Sequence, residues 1–398
     1  MRVVIVGLGA AGANAARTVA AAQRPDVQVD IYGAEPHLYY ARPKLPDYLA
    51  GEVTLSELYF YPQAWYDERR IRVHTGARAE RIDVAAHQLI LSEGTRVPYD
   101  RLLVATGASS FVPPIPGAEL PGVFTLRTID DVDRMRAYAG QCKRAAVIGG
   151  GLLGLEAARG LRALGLEVTV LERGAYLLQR QLDQQGGAIF HREIERMGIA
   201  IETNADTDHI ERGAVALKSG LRIQAELVLI AAGVRSNLEL AKASGLAANR
   251  GIVVDAHLAT SAADVYAAGD VAEFKGTVYG IVPAAIEQAQ AAAHNMLEQA
   301  SAEYTGTVPT NTLKIVGIDL TSIGQIAGGE GYTELRRSDG PGRYLKLVLQ
   351  DGRLEGAILL GHKDKVNLVS QAVARHADLS AHGETALEDG FDWKAVLR

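Results

Sequence analysis

One pattern occurs twice in the chain. An apolar run leads into three glycines, then a helix-favouring run, a second apolar run and an acid. The first copy runs from Arg2 to Glu35 around Gly7, Gly9 and Gly12. The second runs from Ala145 to Glu172 around Gly149, Gly151 and Gly154. Each set of glycines has the G-x-G-x-x-G spacing. That spacing lets a backbone approach a pyrophosphate and aims a helix N-terminus at its negative charge. The closing acid suits a ribose 2′-hydroxyl, and in the second copy it is Glu172. In the first copy Asp30 lies within the second apolar run and Glu35 just past it, and Glu35 is the preferred reading. Two such units in one chain imply two dinucleotide sites, and two dinucleotide sites imply electrons passing between them.

The rest of the composition narrows the class. A chain of 398 residues has room for two or three domains. Its 48% apolar and 22% charged residues are those of a globular protein. A formal net charge of −6 gives no reason to expect nucleic acid or an anionic membrane as partner. The basic clusters Arg69-Arg70-Ile71-Arg72 and Arg336-Arg337 read as solvated faces. The single cysteine, Cys142, excludes an internal disulfide and a Cys-x₂₋₄-Cys site, and fits a cytoplasmic protein. No signal peptide is expected, because the first apolar run leads straight into a glycine loop. No apolar run reaches the ~18 residues of a membrane span. The histidines are scattered without metal-ligand spacing, except His376 and His382, which lie in a polar tail, and there is no G-x-S-x-G elbow.

Taken in order, Arg2–Val6 and residues 27–32 read as strands around an alanine-rich helix. The stretch from His37 to Leu49, with Pro43 and Pro46, reads as irregular ordered chain over a ligand, with Arg42 and Lys44 as candidate contacts to it. Residues 71–90 read as short strands. Residues 100–108 read as a buried strand ending in Ala105-Thr106-Gly107, and Pro113 to Gly117 as a stiff linker. Helices are expected over 130–139, 182–197, 282–299 and 366–377. Ala231-Ala232-Gly233 echoes Ala105-Thr106-Gly107, so the second unit repeats the plan of the first. Asp270 follows a buried strand and a glycine, where an acid can accept hydrogen bonds from a polyol. From Asn311 onward the chain alternates in the β manner, with a hairpin turn at Asp351-Gly352. No nucleotide fingerprint lies there, so this part reads as a partner-facing domain.

The order G-L-G-A-A-G, R-P-K-L, A-T-G, G-G-G-L-L-G-L-E, A-A-G-V-R-S-N, V-Y-A-A-G-D is similar to that of the FAD-dependent pyridine-nucleotide oxidoreductases. Within them it looks most like the rubredoxin reductases and the flavoprotein portion of the NAD(P)H nitrite reductase large subunit. Arg180-Gln181-Leu182-Asp183 looks like the latter branch. The resemblance implies an α/β fold with two Rossmann-like, glutathione-reductase-like domains and a small α+β C-terminal domain. The FAD domain would comprise 1–115 and 249–310, with the NAD(P)H domain, 116–248, inserted between them, and 311–398 as the interface domain. FAD would be held by Gly7, Gly9, Ala10, Ala11, Gly12, Glu35, Arg42, Lys44, Ala79, Ala105, Thr106, Gly107 and Asp270. NAD(P)H would be held by Gly149, Gly151, Leu153, Gly154, Glu172, Arg173 and Gly233. Glu172 favours NADH by repelling a 2′-phosphate, while Arg173 is able to accept one.

Leu152 and Glu156 are the candidate residues at the point of electron entry. Many relatives have a lysine at the position of Asp47 that pairs with the glutamate, and an aromatic at the position of Leu152. Lys44 is the candidate substitute partner of Glu156. The expected function is transfer of electrons from NADH through FAD to a separate redox protein. Rubredoxin is the first choice, then a ferredoxin-like protein or a nitrite or nitrate reductase component, with the chain a monomer or homodimer. The alternative is a flavoprotein switch whose NADH oxidation is incidental.

Overall fold

The computed structural model describes residues 1–307, 310–315 and 318–397. The chain forms two compact units. One comprises Met1–Arg42, Thr54–Ser109 and Val234–Thr307. The other comprises Pro43–Val53, Ser110–Gly233 and Val308–Arg398.

The first unit is built on a five-stranded sheet in the order Val265–Ala267, Arg101–Val104, Arg2–Val6, Gln28–Tyr32, Ile71–His74. All four pairings are parallel. Val3, Val4 and Ile5 are fully buried, as expected of a strand covered on both faces. Each such side chain contributes ~1.5–3 kcal/mol of hydrophobic burial. Helices Ala10–Ala21 and Val282–Leu297 pack against each other over this sheet. Alanines supply most of their buried positions and so allow a close approach.

The second unit repeats the plan. Its parallel sheet runs Ile199–Thr203, Glu167–Glu172, Arg144–Ile148, Leu227–Ile230, Val123–Phe124. In each sheet the strand before the glycine loop lies between the strand after the helix and a later buried strand. Each unit also carries a three-stranded antiparallel sheet, Ala79–Asp83 with Gln88–Leu91 and Arg96–Pro98 in one, and Thr207–Glu211 with Ala214–Leu217 and Arg222–Gln224 in the other. The duplication read from motif order is thus one of topology.

The C-terminal part is a five-stranded antiparallel sheet with helix Val366–Ala374 packed on it. The expected hairpin turn joins Tyr344–Gln350 to Arg353–Leu360, with Asp351 and Gly352 both at positive φ. Trp393 in the tail is 3% exposed and pins the tail to this core. The alternating run 313–318 falls on two strands, except that Val316 and Gly317 lie outside the described residues.

Two expectations need correction, and one strand had no counterpart among them. The stretch from His37 to Leu49 is not irregular throughout, because Arg42–Lys44 is a 3-10 turn and Leu45–Ala50 an α-helix. Pro46 lies in the first turn, where no N–H partner is required, so it starts the helix instead of breaking it. Strand Tyr332–Arg337 was not anticipated; its polar, half-exposed sequence belongs to a sheet edge. The helix expected over 182–197 begins at Gln184, because Asp183 is its N-cap, accepting from the Gly186 N–H at 2.9 Å.

Candidate functional site

The two glycine loops have the same construction. The Gly7 N–H donates to Tyr32 O at 2.8 Å and the Gly149 N–H to Leu171 O at 2.9 Å, tying each loop to the second strand of its unit. A Cβ on Gly7 would lie 2.0 Å from Ala105 O, and one on Gly149 would lie 2.4 Å from Ala231 O. A Cβ on Gly12 would lie 1.8 Å from Gly7 O, and one on Gly154 would lie 2.0 Å from Gly149 O. Only glycine permits either approach. The middle glycines differ: a Cβ on Gly9 or Gly151 would meet nothing within 4 Å. Each loop is therefore pressed onto its sheet on one side and open on the other.

Helices Ala10–Ala21 and Leu152–Ala163 start at Gly9 and Gly151, with no side-chain cap and no acid in the first turn. An uncapped N-terminus behind an open glycine is a fitting seat for a pyrophosphate. Both loops pass this test of fit for a dinucleotide. Ala10 and Ala11 open the first helix, and Leu152 and Leu153 open the second.

Asp30 is 0% exposed and spoken for. It accepts from Arg72 at 2.6 Å, Arg2 at 3.0 Å and His74 at 3.1 Å. Burial alone would raise its pKa, but these donors hold it below the ordinary value. Glu35 lies beyond the strand end, half-buried, accepting from the Tyr40 hydroxyl at 2.6 Å and from Arg42 at 2.5 Å. Arg42 also donates to the Tyr40 hydroxyl at 2.8 Å. Glu35 and Arg42 thus form one local set. Ala79 opens its own strand, and the Ala77 N–H donates to Gly33 O at 2.8 Å, which brings that strand to the same edge.

Ala105-Thr106-Gly107 follows the strand Arg101–Val104, its first N–H donating to Val6 O at 2.7 Å. Asn237 holds this loop: its Nδ2 donates to Thr106 O at 2.8 Å, and its Oδ1 accepts from Ser109 Oγ at 2.6 Å. The Asn237 N–H adds a bond to Gly107 O at 2.9 Å. Asn237 ends the R-S-N run, and its reach to Thr106, far off in the chain, leaves no periodic signal in the sequence. Asp270 follows Gly269, whose N–H donates to the buried Gln288 at 2.8 Å, while Ser236 Oγ donates to Asp270 O at 2.7 Å. A Cβ on Gly269 would lie 2.9 Å from Ala11 Cβ, so Asp270 stands beside the first glycine loop's helix.

In the second unit Glu172 reaches back to its own loop, accepting from the Gly150 N–H at 2.8 Å and the Gly174 N–H at 2.7 Å. Arg173 is exposed. The Gly233 carbonyl accepts from the Phe111 N–H at 2.9 Å. Leu152 is half-buried at the start of its helix.

Glu156, one turn on, is half-buried. Burial and the nearby Asp47 push its pKa up to about 7, against the opposing pull of Arg159. Lys44 is exposed and forms no ion pair with Glu156 among the described residues. The cation beside Glu156 is Arg159, which pairs with Asp47 and with Glu52 at 2.6 Å. A contact between residues on two helices more than a hundred positions apart has no sequence spacing to betray it.

Among the described residues no cluster of His, Cys, Asp and Glu is arranged to hold a metal, and no helix is long and apolar enough to cross a membrane. Cys142 is half-buried, its thiol pKa raised by burial and by Glu226.

The family profile described as pyridine nucleotide-disulphide oxidoreductase matches residues 1–295. A second, described as the rubredoxin NAD+ reductase C-terminal domain, matches residues 309–377. The assimilatory nitrate reductase electron transfer subunit of Bacillus subtilis is 38% identical over 97% of this chain and 51% of its own length. The NADH-rubredoxin oxidoreductase of Clostridium acetobutylicum is 30% identical, over 90% of this chain and 91% of that protein. The crystal structure of putidaredoxin reductase, in covalent complex with putidaredoxin, superposes with a TM-score of 0.89 at 27% identity, covering 100% of this chain and 98% of the other. The chain spans about half the length of the nitrate and nitrite reductase relatives that it matches.

Proposed function

The chain belongs to the pyridine nucleotide-disulphide oxidoreductase family, and we propose that within it this protein takes electrons from NADH through FAD and delivers them to a separate redox protein. The observation that carries this reading is the pair of open glycine cradles, alike in construction, on two parallel sheets of one chain. FAD, when bound, supplies the conversion of the electron pair of one hydride into single electrons.

The protein's part is to bind and orient. Gly7, Gly9 and Gly12, with the N–H groups of Ala10 and Ala11, would seat the FAD pyrophosphate. Glu35, preset by Arg42 and Tyr40, would take the adenosine ribose, with Ala79 beside it. Ala105, Thr106 and Gly107 would line the same cofactor, held in place by Asn237, and Asp270 would meet its polyol chain. Gly149, Gly151, Leu153 and Gly154 would seat the nicotinamide dinucleotide, with Gly233 at its far side. Glu172, fixed by two backbone N–H groups, would bind the 2′-hydroxyl and favour NADH over NADPH. Leu152 and Glu156 would lie toward the nicotinamide end.

Rubredoxin is the preferred acceptor, then a ferredoxin-like carrier or a nitrite or nitrate reductase component. The named activities of the relatives support each of these acceptors, and the C-terminal match favours the first. A single cysteine leaves no pair for disulfide reduction within the chain, and fits a cytoplasmic setting. The test is steady-state NADH oxidation by the purified yellow protein across a panel of these carriers. One carrier is expected to raise turnover well above the rate with oxygen alone. NADH oxidation that no carrier accelerates would favour a switch protein with incidental oxidase activity.

A further inference from the structure

The surroundings of Glu156 hold more acids than their cation can serve. Helix Leu45–Ala50 packs against helix Leu152–Ala163, so closely that a Cβ on Gly160 would lie 2.9 Å from Pro46 O. This brings Asp47 and, just past the short helix, Glu52 against Arg159. Arg159 Nη2 donates to Asp47, and Nη1 donates to Glu52 at 2.6 Å. The Arg159 side chain is only 12% exposed, and the bond to Asp47 is the more sheltered of the two, since Glu52 is itself 48% exposed. With both terminal nitrogens committed, three carboxylates share the charge of Arg159, and among the described residues Glu156 is the one without an ion pair.

Charge and packing single out Glu156 further. Asp47 and Arg159 are the charges acting on it, with Glu52 behind Arg159. A strand of the C-terminal sheet, Thr310–Ile315, also packs on its helix, and its sequence contains one charged residue, Lys314. A half-buried carboxyl next to another carboxylate, with no ion pair of its own among the described residues, holds a proton near neutrality. It sits two residues past Gly154, one turn into the helix whose uncapped N-terminus opens on the second cradle.

We propose that Glu156 is a proton-exchanging carboxyl whose ionisation is linked to the binding of a nicotinamide dinucleotide at the second glycine loop. The inference rests on the reading that this loop takes the nicotinamide cofactor. A ligand seated there changes both the charge and the water around the carboxyl, so its binding and a proton at Glu156 are coupled by linkage. Asp47, Glu52 and Arg159 are the positioning residues of this device. Asp47 and Glu52 engage both terminal nitrogens of Arg159, so that neither is paired with Glu156.

The test is calorimetric titration of the FAD-loaded protein with NAD+ in buffers of different ionisation heat, from pH 5 to pH 9. The wild type is expected to exchange a substantial fraction of a proton per NAD+ near pH 7, fading toward both ends. Glu156→Gln is expected to bind NAD+ without that exchange. Asp47→Asn, which removes a neighbouring acid and frees Arg159 for Glu156, is expected to move the maximum down by about one pH unit. It also decides the matter should Glu156→Gln fail to fold. Binding whose heat is independent of buffer in the wild type, or exchange that persists in Glu156→Gln, or an unmoved maximum in Asp47→Asn, overturns the proposal but leaves the cofactor reading standing. Absence of NAD+ binding by the wild type overturns both.

Discussion

At the scale of single residues, the glycines of the two loops were legible because sterics leave them no alternative. A side chain at Gly12 or Gly154 would collide with backbone, which cannot give way. Asp30 and Glu35 show the limit of that legibility. Both are acids near a strand end, and only the three-dimensional partners of Asp30 reveal it as an internal ion-pair hub. Asn237 and Arg159 were not legible at all, because each acts on residues more than a hundred positions away. Asn237 yields a direct prediction. Asn237→Ala removes two side-chain hydrogen bonds to the loop that follows Val104, at ~1 kcal/mol each. Thermal unfolding should show a loss of about 2 kcal/mol, with purified protein carrying less FAD than wild type. Unchanged stability and full yellow colour would show that the loop holds itself.

Elements were legible where hydrophobic periodicity was strong, as in both parallel sheets and the C-terminal hairpin. They were illegible where a short segment takes its structure from neighbours, as in the proline-containing Leu45–Ala50 and the polar Tyr332–Arg337. Side chains at strand ends then fix how elements meet. Glu226, at the entry of the strand Leu227–Ile230, accepts from the N–H groups of Lys143 and Arg144 at 3.1 Å and 2.8 Å, and from the Arg144 guanidinium at 2.6 Å. Its side chain thereby joins the starts of two adjacent strands. The Arg144 bond, against some burial and with the help of both N–H groups, lowers its pKa to about 2. A folded-state value below the ordinary carboxylate value gives stability that is present above that ordinary value and lost as pH falls toward the folded one. Glu226→Gln should therefore be less stable than wild type at neutral pH, by a margin that closes as pH drops toward about 2. Denaturant unfolding at several pH values reads this margin. A constant difference across the range would mean that the charge is immaterial.

At the scale of the whole molecule, the chain uses one architectural plan twice and adds a sheet with no nucleotide fingerprint. A buried network ties that sheet to the second unit's core: Asp183 caps its helix and accepts from Tyr344 at 2.7 Å, while Lys346, 2% exposed, lies 3.3 Å from Asp183 and 2.7 Å from Glu334. The motif containing Asp183 was visible in sequence, but its partners in the C-terminal sheet were not, since only folding brings them together. Duplicated cradles require two dinucleotides, and two dinucleotides have a purpose if electrons enter at one and leave by way of the other. Anaerobic stopped-flow absorbance tests this central claim most directly. The account predicts rapid bleaching of the flavin when NADH is mixed with the oxidised protein, then rapid return of the yellow colour when an oxidised carrier such as rubredoxin is added. A flavin that NADH fails to bleach, or a reduced state that persists in the presence of every carrier, would contradict it.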